Sequence, residues 1–278
     1  MNFIFGRSSL RWGVVVLTGI LSACGGQSAD LVTEIQPLFT GTGPYQRPVT
    51  TGSDEARAYF DQGLAFLYAF NHDEAIRSFR RAAEIDPGFA MAHWGIAYAN
   101  GPHINNAEVS VEREAAAFEA AAQAATLAEG LEEGADRALI LALTTRYASP
   151  QPEDRGPLDA AFADAMTGVY AQYPDDGDVG AVYAESLLDL HPWDLWEHDG
   201  SAKEWTPRIV TLLEAVLAKH PNHPLALHLY IHTVEASDDP ARGDEAADRL
   251  RNLMPGLGHM VHMPSHIDVR RGRWEEAI

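Results

Sequence analysis

Apolar residues in this chain fall in helix-length runs, with neighbours three and four apart, and Pro or Gly punctuates the runs. A first pair of helices is predicted between Ala56 and Pro87. A third begins near Ala90, carries His93, Trp94 and Tyr98, and breaks at Gly101-Pro102. Long Ala-rich residues 107–129 and residues 134–147 follow, then a Pro-rich loop over 149–157. Residues 158–173 end at Pro174, and residues 176–190 are their partner. A segment with His191, Trp193 and Trp196 leads to a turn at Asp199-Gly200. Further helices are predicted over 207–220, 224–236, 240–253 and 258–270. Every element is helical, so the fold class is all-α.

The first pair has internal logic. Gly63 and Ala75 let two antiparallel helices approach, Phe66 and Phe79 fill the space between them, and Pro87 stops the second helix. Asn71 followed by Glu74 reads as a capping box opening that helix. With Ala56 at position 1, these residues and Ala82 fill the six diagnostic positions of a tetratricopeptide (TPR) unit, which they resemble. The register returns downstream, where Pro221 and Pro255 lie one 34-residue repeat apart. Residues 53–278 are therefore expected to form a TPR-like right-handed solenoid of antiparallel helix pairs, with degenerate middle units. Pro264 falls inside a predicted first helix, where it kinks the helix or marks its start. Residues 272–277 fit the turn and start of a second helix that ends within two turns. A solenoid buries each unit on the next, so the sequence reads as a C-terminally truncated piece, the alternative being a partner that supplies the missing helix.

Residues 1–23 read as an export signal, with Arg7 and Arg11 before the apolar run from Trp12 to Leu21. Leu21-Ser22-Ala23-Cys24 resembles a lipobox, which implies acylation at Cys24 and a membrane held by a lipid anchor only. The other reading is an ordinary signal peptide. Gly25 after the cysteine resembles outer-membrane sorting, so the expected address is the bacterial cell envelope, on the outer membrane facing the periplasm. Residues 24–52, rich in Gly and Pro, read as a flexible leader.

Charge narrows the partners. The formal charge is −20, from 40 acids against 20 bases, which disfavours nucleic acid. The single cysteine rules out an internal disulfide and a thiolate cluster. A metal site must therefore use His, Asp or Glu. Among twelve histidines, seven lie between His220 and His266.

Two of these form a repeated pair: His228 and His232 recur one repeat later as His262 and His266. In a TPR unit, positions 2, 5, 9 and 12 of the first helix face the concave groove. These are Leu225, His228, His232 and Glu235 in one unit, and His259, His262, His266 and Val269 in the next. Imidazoles one turn apart on adjacent helices can converge on Zn, Cu or Fe, with Glu235 as a ligand or as an orienter of the imidazoles. The competing reading is a hydrogen-bonded set of histidines with no ligand. His93, Trp94, Tyr98 and His103 are weaker groove candidates, and ordinary packing is the stronger explanation for them. His72 and His198 read as surface residues, and His220 and His223 as loop residues. No H-E-x-x-H, G-x-S-x-G or phosphate-binding glycine loop is present.

From about Ser53 onward the chain resembles a histidine-rich group of exported bacterial TPR proteins. The resemblance is carried by His93-Trp94-Gly95, by the 192–196 and 220–224 segments, by Tyr230 to Glu235 and by Gly258 to Ile267. It implies fold and address but no activity. TPR grooves in general hold a protein or peptide partner, the alternative to a metal or a small anionic ligand.

Overall fold

The computed structural model describes residues 36–278, so the predicted signal peptide and Cys24 lie outside the described residues. Among the described residues the chain is all-α. The helices are α1 (Asp54–Tyr68), α2 (His72–Ile85), α3 (Ala90–Ala99), α4 (Val111–Ala128), α5 (Ala135–Leu143), α6 (Gly156–Gln172), α7 (Gly177–Leu188), α8 (Thr206–Lys219), α9 (Pro224–Val234), α10 (Asp244–Leu250), α11 (Gly258–His262) and α12 (Pro264–Arg271). Successive helices pack on one another from α1 through to α10. That neighbour-to-neighbour packing is consistent with a helical-repeat solenoid.

The first pair is built as its sequence demands. Ser53 caps α1 by accepting from the Ala56 amide at 3.2 Å. The Phe79 ring is fully buried and packs against the backbone at Gly63. A Cβ there would sit 2.6 Å from the ring. Gly95 meets the same ring at the same distance. One phenyl ring thus occupies two glycine notches, which locks α1, α2 and α3 together. The expected capping box does not form. Asn71 makes no side-chain cap, and Glu74 is held by Gln36 and Arg77. The reason is the turn before it: Phe70 lies in the left-handed region at φ 56°, and the Asn71 amide closes back onto the Phe66 carbonyl at 2.8 Å.

Residues 36–52 differ from the expected flexible leader. They form a strap laid across several helices. The Tyr59 hydroxyl donates to the Gln36 carbonyl, and Gln62 bonds both the Phe39 amide and the Pro37 carbonyl. Gly41, at φ +80°, lies against Gly256, whose amide donates to the Gly41 carbonyl at 2.8 Å; a Cβ on Gly41 would meet that amide nitrogen at 2.8 Å. Arg47 is 5% exposed and reaches three carboxylates, Asp136 at 2.7 Å, Asp176 at 2.9 Å and Asp178 at 2.6 Å. Asp178 also accepts from the Tyr68 hydroxyl at 2.5 Å and from His223 Nε2 at 3.0 Å. His223 is buried and caps α9 through Nδ1. It lies in the turn before α9, as expected, but it is buried there as the cap, because α9 needs an acceptor for its first amides.

The helices also close over long range. α1 touches α9, and this contact places the end of the first pair beside the histidines. Helix α8 starts at Thr206 and α9 ends at Val234, within two residues of expectation. The predicted 240–253 helix is a 3₁₀ turn over Pro240–Gly243 followed by α10. Pro264 divides the predicted last helix into α11 and α12. Met263 keeps helical dihedrals between them. Residues 274–276 form a turn, not the start of a further helix.

Candidate metal centre

Helix α9 delivers His228 and His232 from one face, four residues apart. Both are buried, at 0% and 4% exposure. The short α11 brings His259 alongside them. The ring centroids lie 4.9 Å apart for His228 and His232, 4.8 Å for His228 and His259, and 6.0 Å for His232 and His259. One nitrogen from each of these three side chains falls within 4.8 Å of the others, a group able to hold a metal ion. Metal–imidazole bonds of about 2.0–2.1 Å separate tetrahedral ligand nitrogens by roughly 3.3 Å. The His228 and His259 Nε2 atoms, 2.9 Å apart, already lie near that spacing.

The outer ring nitrogens are committed. His228 Nδ1 lies 2.7 Å from the Tyr68 carbonyl, an acceptor only, so Nδ1 carries the proton and Nε2 presents a lone pair. His232 Nδ1 donates to Glu235 Oε1 at 3.1 Å. Its Nε2 is buried and has no partner among the described residues. Glu235 uses its other oxygen for His266 Nδ1 at 2.5 Å. The carboxylate expected as ligand or orienter therefore holds two imidazoles from behind, the arrangement that fixes tautomer and ring direction in metal sites.

Electrostatics favour neutral imidazoles inside. Burial, then the neighbouring imidazoles, hold His228 well below the ordinary histidine range. Burial lowers His232 against the pull of Glu235, and lowers His259 to about 4. Neutral imidazole is the form that binds a cation. Burial opposes ionisation of Glu235, yet hydrogen bonds from His232 and His266 outweigh it and lower that carboxyl to about 2. The same carboxylate raises His266.

The predicted wall of His228, His232, His262 and His266 is thus divided. His228 and His232 share their space with His259, while His262 and His266 face each other with Nε2 atoms 3.0 Å apart. The cause is register. His259 meets His228, and His266 meets Glu235, both 31 residues apart. The two histidine helices run parallel but are displaced by about one turn from the 34-residue repeat.

Of the groove candidates, Trp94 and Tyr98 are core residues. Trp94 is 1% exposed and stacks on Tyr98, whose hydroxyl donates to Glu185 at 2.6 Å. His93 is half-buried on α3 and has no ring or hydrogen-bond contact with the cluster among the described residues. His103 does join it, through Phe70. The Phe70 ring lies 4.7 Å from His103, 4.4 Å from His228 and 5.7 Å from His259. His72, expected on the surface, stacks on His103 at 4.1 Å, because the left-handed turn at Phe70 folds the start of α2 inward. Tyr68 and Phe70 are not among the residues the sequence singles out, whereas Trp193 and Trp196 fit an aromatic wall. The Trp193 ring meets His232 edge-on at 5.1 Å. With Leu195, Trp196, Val269 and the outer histidines it lines a cavity of about 610 Å³ that reaches His232 and Glu235. Nothing in the local sequence around Tyr68 or Phe70 marks them, since both meet α9 from some 160 residues away.

No protein-family model matches this chain, and no curated protein matches it significantly. No described helix is long and apolar enough to cross a membrane.

Proposed function

We propose that this chain is an envelope-anchored TPR-type protein that binds a transition-metal ion through His228, His232 and His259. One observation carries the reading. Two buried imidazoles have Nδ1 fixed on acceptors, and the Nε2 of His232 has no partner among the described residues. An unpaired buried acceptor is costly unless a ligand satisfies it. Three imidazoles suit Zn, Cu or Fe in the divalent state. They leave a tetrahedral position open, and the cavity beside His232 gives a small anionic ligand access to it. The anchor at Cys24 and the periplasm-facing address rest on the export-signal pattern of residues 1–23, the lipobox-like Leu21-Ser22-Ala23-Cys24 and the Gly25 that follows it.

The test is metal uptake by the full chain. After dialysis against Zn²⁺, the wild type is expected to retain metal and His259→Ala to lose affinity for it. At a hundred-fold excess over Kd, binding stabilises the native state by about 2.7 kcal/mol. At roughly 2–4 °C per kcal/mol for a domain of this size, the melting temperature rises by about 5–11 °C, and His259→Ala removes that rise. A wild type that holds no zinc, copper or iron above background and shows no thermal shift sinks the proposal and leaves a groove for a protein or peptide partner.

A further inference from the structure

We propose a second cation position outside the first, chelated by His262 and His266. The two side chains lie one helical turn apart across the Pro264 break, the first closing α11 and the second on α12. Their rings sit 4.8 Å apart at 72°, with the Nε2 atoms 3.0 Å from each other. Two tetrahedral ligands on one ion stand about 3.3 Å apart, so a cation enters with a small rotation of either ring. The far nitrogens are anchored. His266 Nδ1 is on Glu235 Oε2, and His262 Nδ1 is 3.3 Å from Ser265 Oγ. This is the pattern that presents Nε2 of an imidazole to a metal.

The position is separate from the inner group. The three inner side chains bring one nitrogen each within 4.8 Å of the others, a group that includes neither His262 nor His266, whose own Nε2 atoms pair with each other. Its surroundings differ as well. His262 is exposed and His266 half-buried, and both line the cavity walled by Trp193, Leu195 and Val269. Two protein nitrogens leave the other coordination positions to water or to a ligand from that cavity. The outer ion is therefore held less tightly than the inner one and exchanges faster. Glu235 supports both positions, one carboxylate oxygen on a ligand of each. Imidazole pairs of this kind take borderline divalent cations such as Zn²⁺, Ni²⁺ or Cu²⁺.

The competing account of the pair is an imidazole–imidazole hydrogen bond. In the neutral pair His266 keeps its proton on Nδ1 for Glu235, so His262 Nε2–H donates to His266 Nε2. A cation that takes both Nε2 lone pairs needs His262 in its other tautomer. The proton leaves Nε2 and one is taken up at Nδ1, which then donates to Ser265 Oγ, so both imidazoles stay neutral, no net proton is released and the Ser265 contact reverses direction.

Equilibrium titration of the full chain with Zn²⁺ against a chromophoric chelator separates the sites. The wild type is expected to take two equivalents, one tighter than the other. His262→Ala keeps the tight equivalent and loses the weak one. His259→Ala loses the tight one and keeps the weak one. Circular dichroism checks that each variant is folded, which the exposure of His262 favours. A single wild-type equivalent that survives His262→Ala overturns the outer position and leaves the inner one standing. A single equivalent lost only in His262→Ala supports the outer position and overturns the inner one. Uptake of two equivalents by both wild type and His262→Ala overturns the assignment to His262, and no uptake at all overturns both.

Discussion

Replacing Arg47 by Met tests whether residues 36–52 are a structural strap. The substitution keeps an apolar stem of similar length and removes the charge. It leaves Asp136, Asp176 and Asp178 without their shared cation. Asp178 is the sensitive one, because it is almost fully buried and depends on Arg47, Tyr68 and His223. Breaking a buried pair by removing one partner costs about 3–5 kcal/mol. At roughly 2–4 °C per kcal/mol, the melting temperature falls by about 6–20 °C, and the denaturant midpoint drops with little change in slope.

The pH dependence supplies a second readout. In the wild type, burial opposes ionisation of Asp178, but Arg47 and His223 hold its pKa far below 3.8. That depressed pKa contributes stability above pH 4 that is lost as pH falls through the carboxylate range. In Arg47→Met, burial dominates and the native pKa of Asp178 rises above the unfolded value. Such a group favours the native state at low pH and penalises it as pH rises. The gap between variant and wild type therefore narrows from pH 7 towards pH 4. Neutralising the orphan as well, in Arg47→Met/Asp178→Asn, recovers part of the loss, a coupling that a double-mutant cycle measures. A loss under about 1 kcal/mol, or a gap that is flat in pH, refutes the reasoning and returns the segment to a loose tether.

Glu235→Gln removes the anion behind His232 and His266; loss of such a support typically weakens metal affinity 10–100-fold, to be read as a chelator-competition Kd. Gly95→Ala places a Cβ 2.6 Å from the Phe79 ring and is expected to cost about 1–3 kcal/mol by overpacking in a denaturant melt, with Phe79→Leu relieving part of it. Asp61 lies on α1 with both carboxylate oxygens buried, and burial raises it to about 6 against the weaker pull of the Arg47 amide and of Arg57. Its ionisation therefore penalises the fold as pH rises from about 4 through 6, so Asp61→Asn should stabilise the protein by about 1–3 kcal/mol at pH 7 and give little gain at pH 4.

The parts legible in the sequence are those fixed by local rules. Gly63 and Phe79 announce a tight helix pair because only a hydrogen at that position admits a ring. Helix ends at Pro87 and Pro174 follow from a missing amide proton. Asn71 does not cap α2 as its sequence suggests, because a cap needs extended backbone before the helix and Phe70 is left-handed there. The strap was opaque for a similar reason. Residues 36–52 carry no helical period and many Gly and Pro, a composition shared by tethers and by segments pinned from outside. What pins this one is distant: Asp136, Asp176 and Asp178 follow Arg47 by 89 to 131 residues. The histidines lay between these cases. Their side of the helix followed from spacing, but their partners did not, since a parallel displacement of one turn changes which imidazole meets which.

The irregular end of α1 explains why a carbonyl from the first helix pair belongs to the site. The last four carbonyls of a helix have no intrahelical donor. At the end of α1, the Ala69, Phe70 and Asn71 amides return to Ala65, Leu67 and Phe66. None of these three takes the Tyr68 carbonyl, which accepts His228 Nδ1–H instead. The left-handed Phe70 then carries its ring under the imidazoles, where a longer regular helix would have put another turn. Tyr68 is held in place from its other end, since its hydroxyl donates to the Asp178 that Arg47 neutralises. The tautomer of His228 thus depends on a helix end positioned by a buried ion cluster. A change in the strap is expected to reach the metal ligands through one residue, without touching any of them.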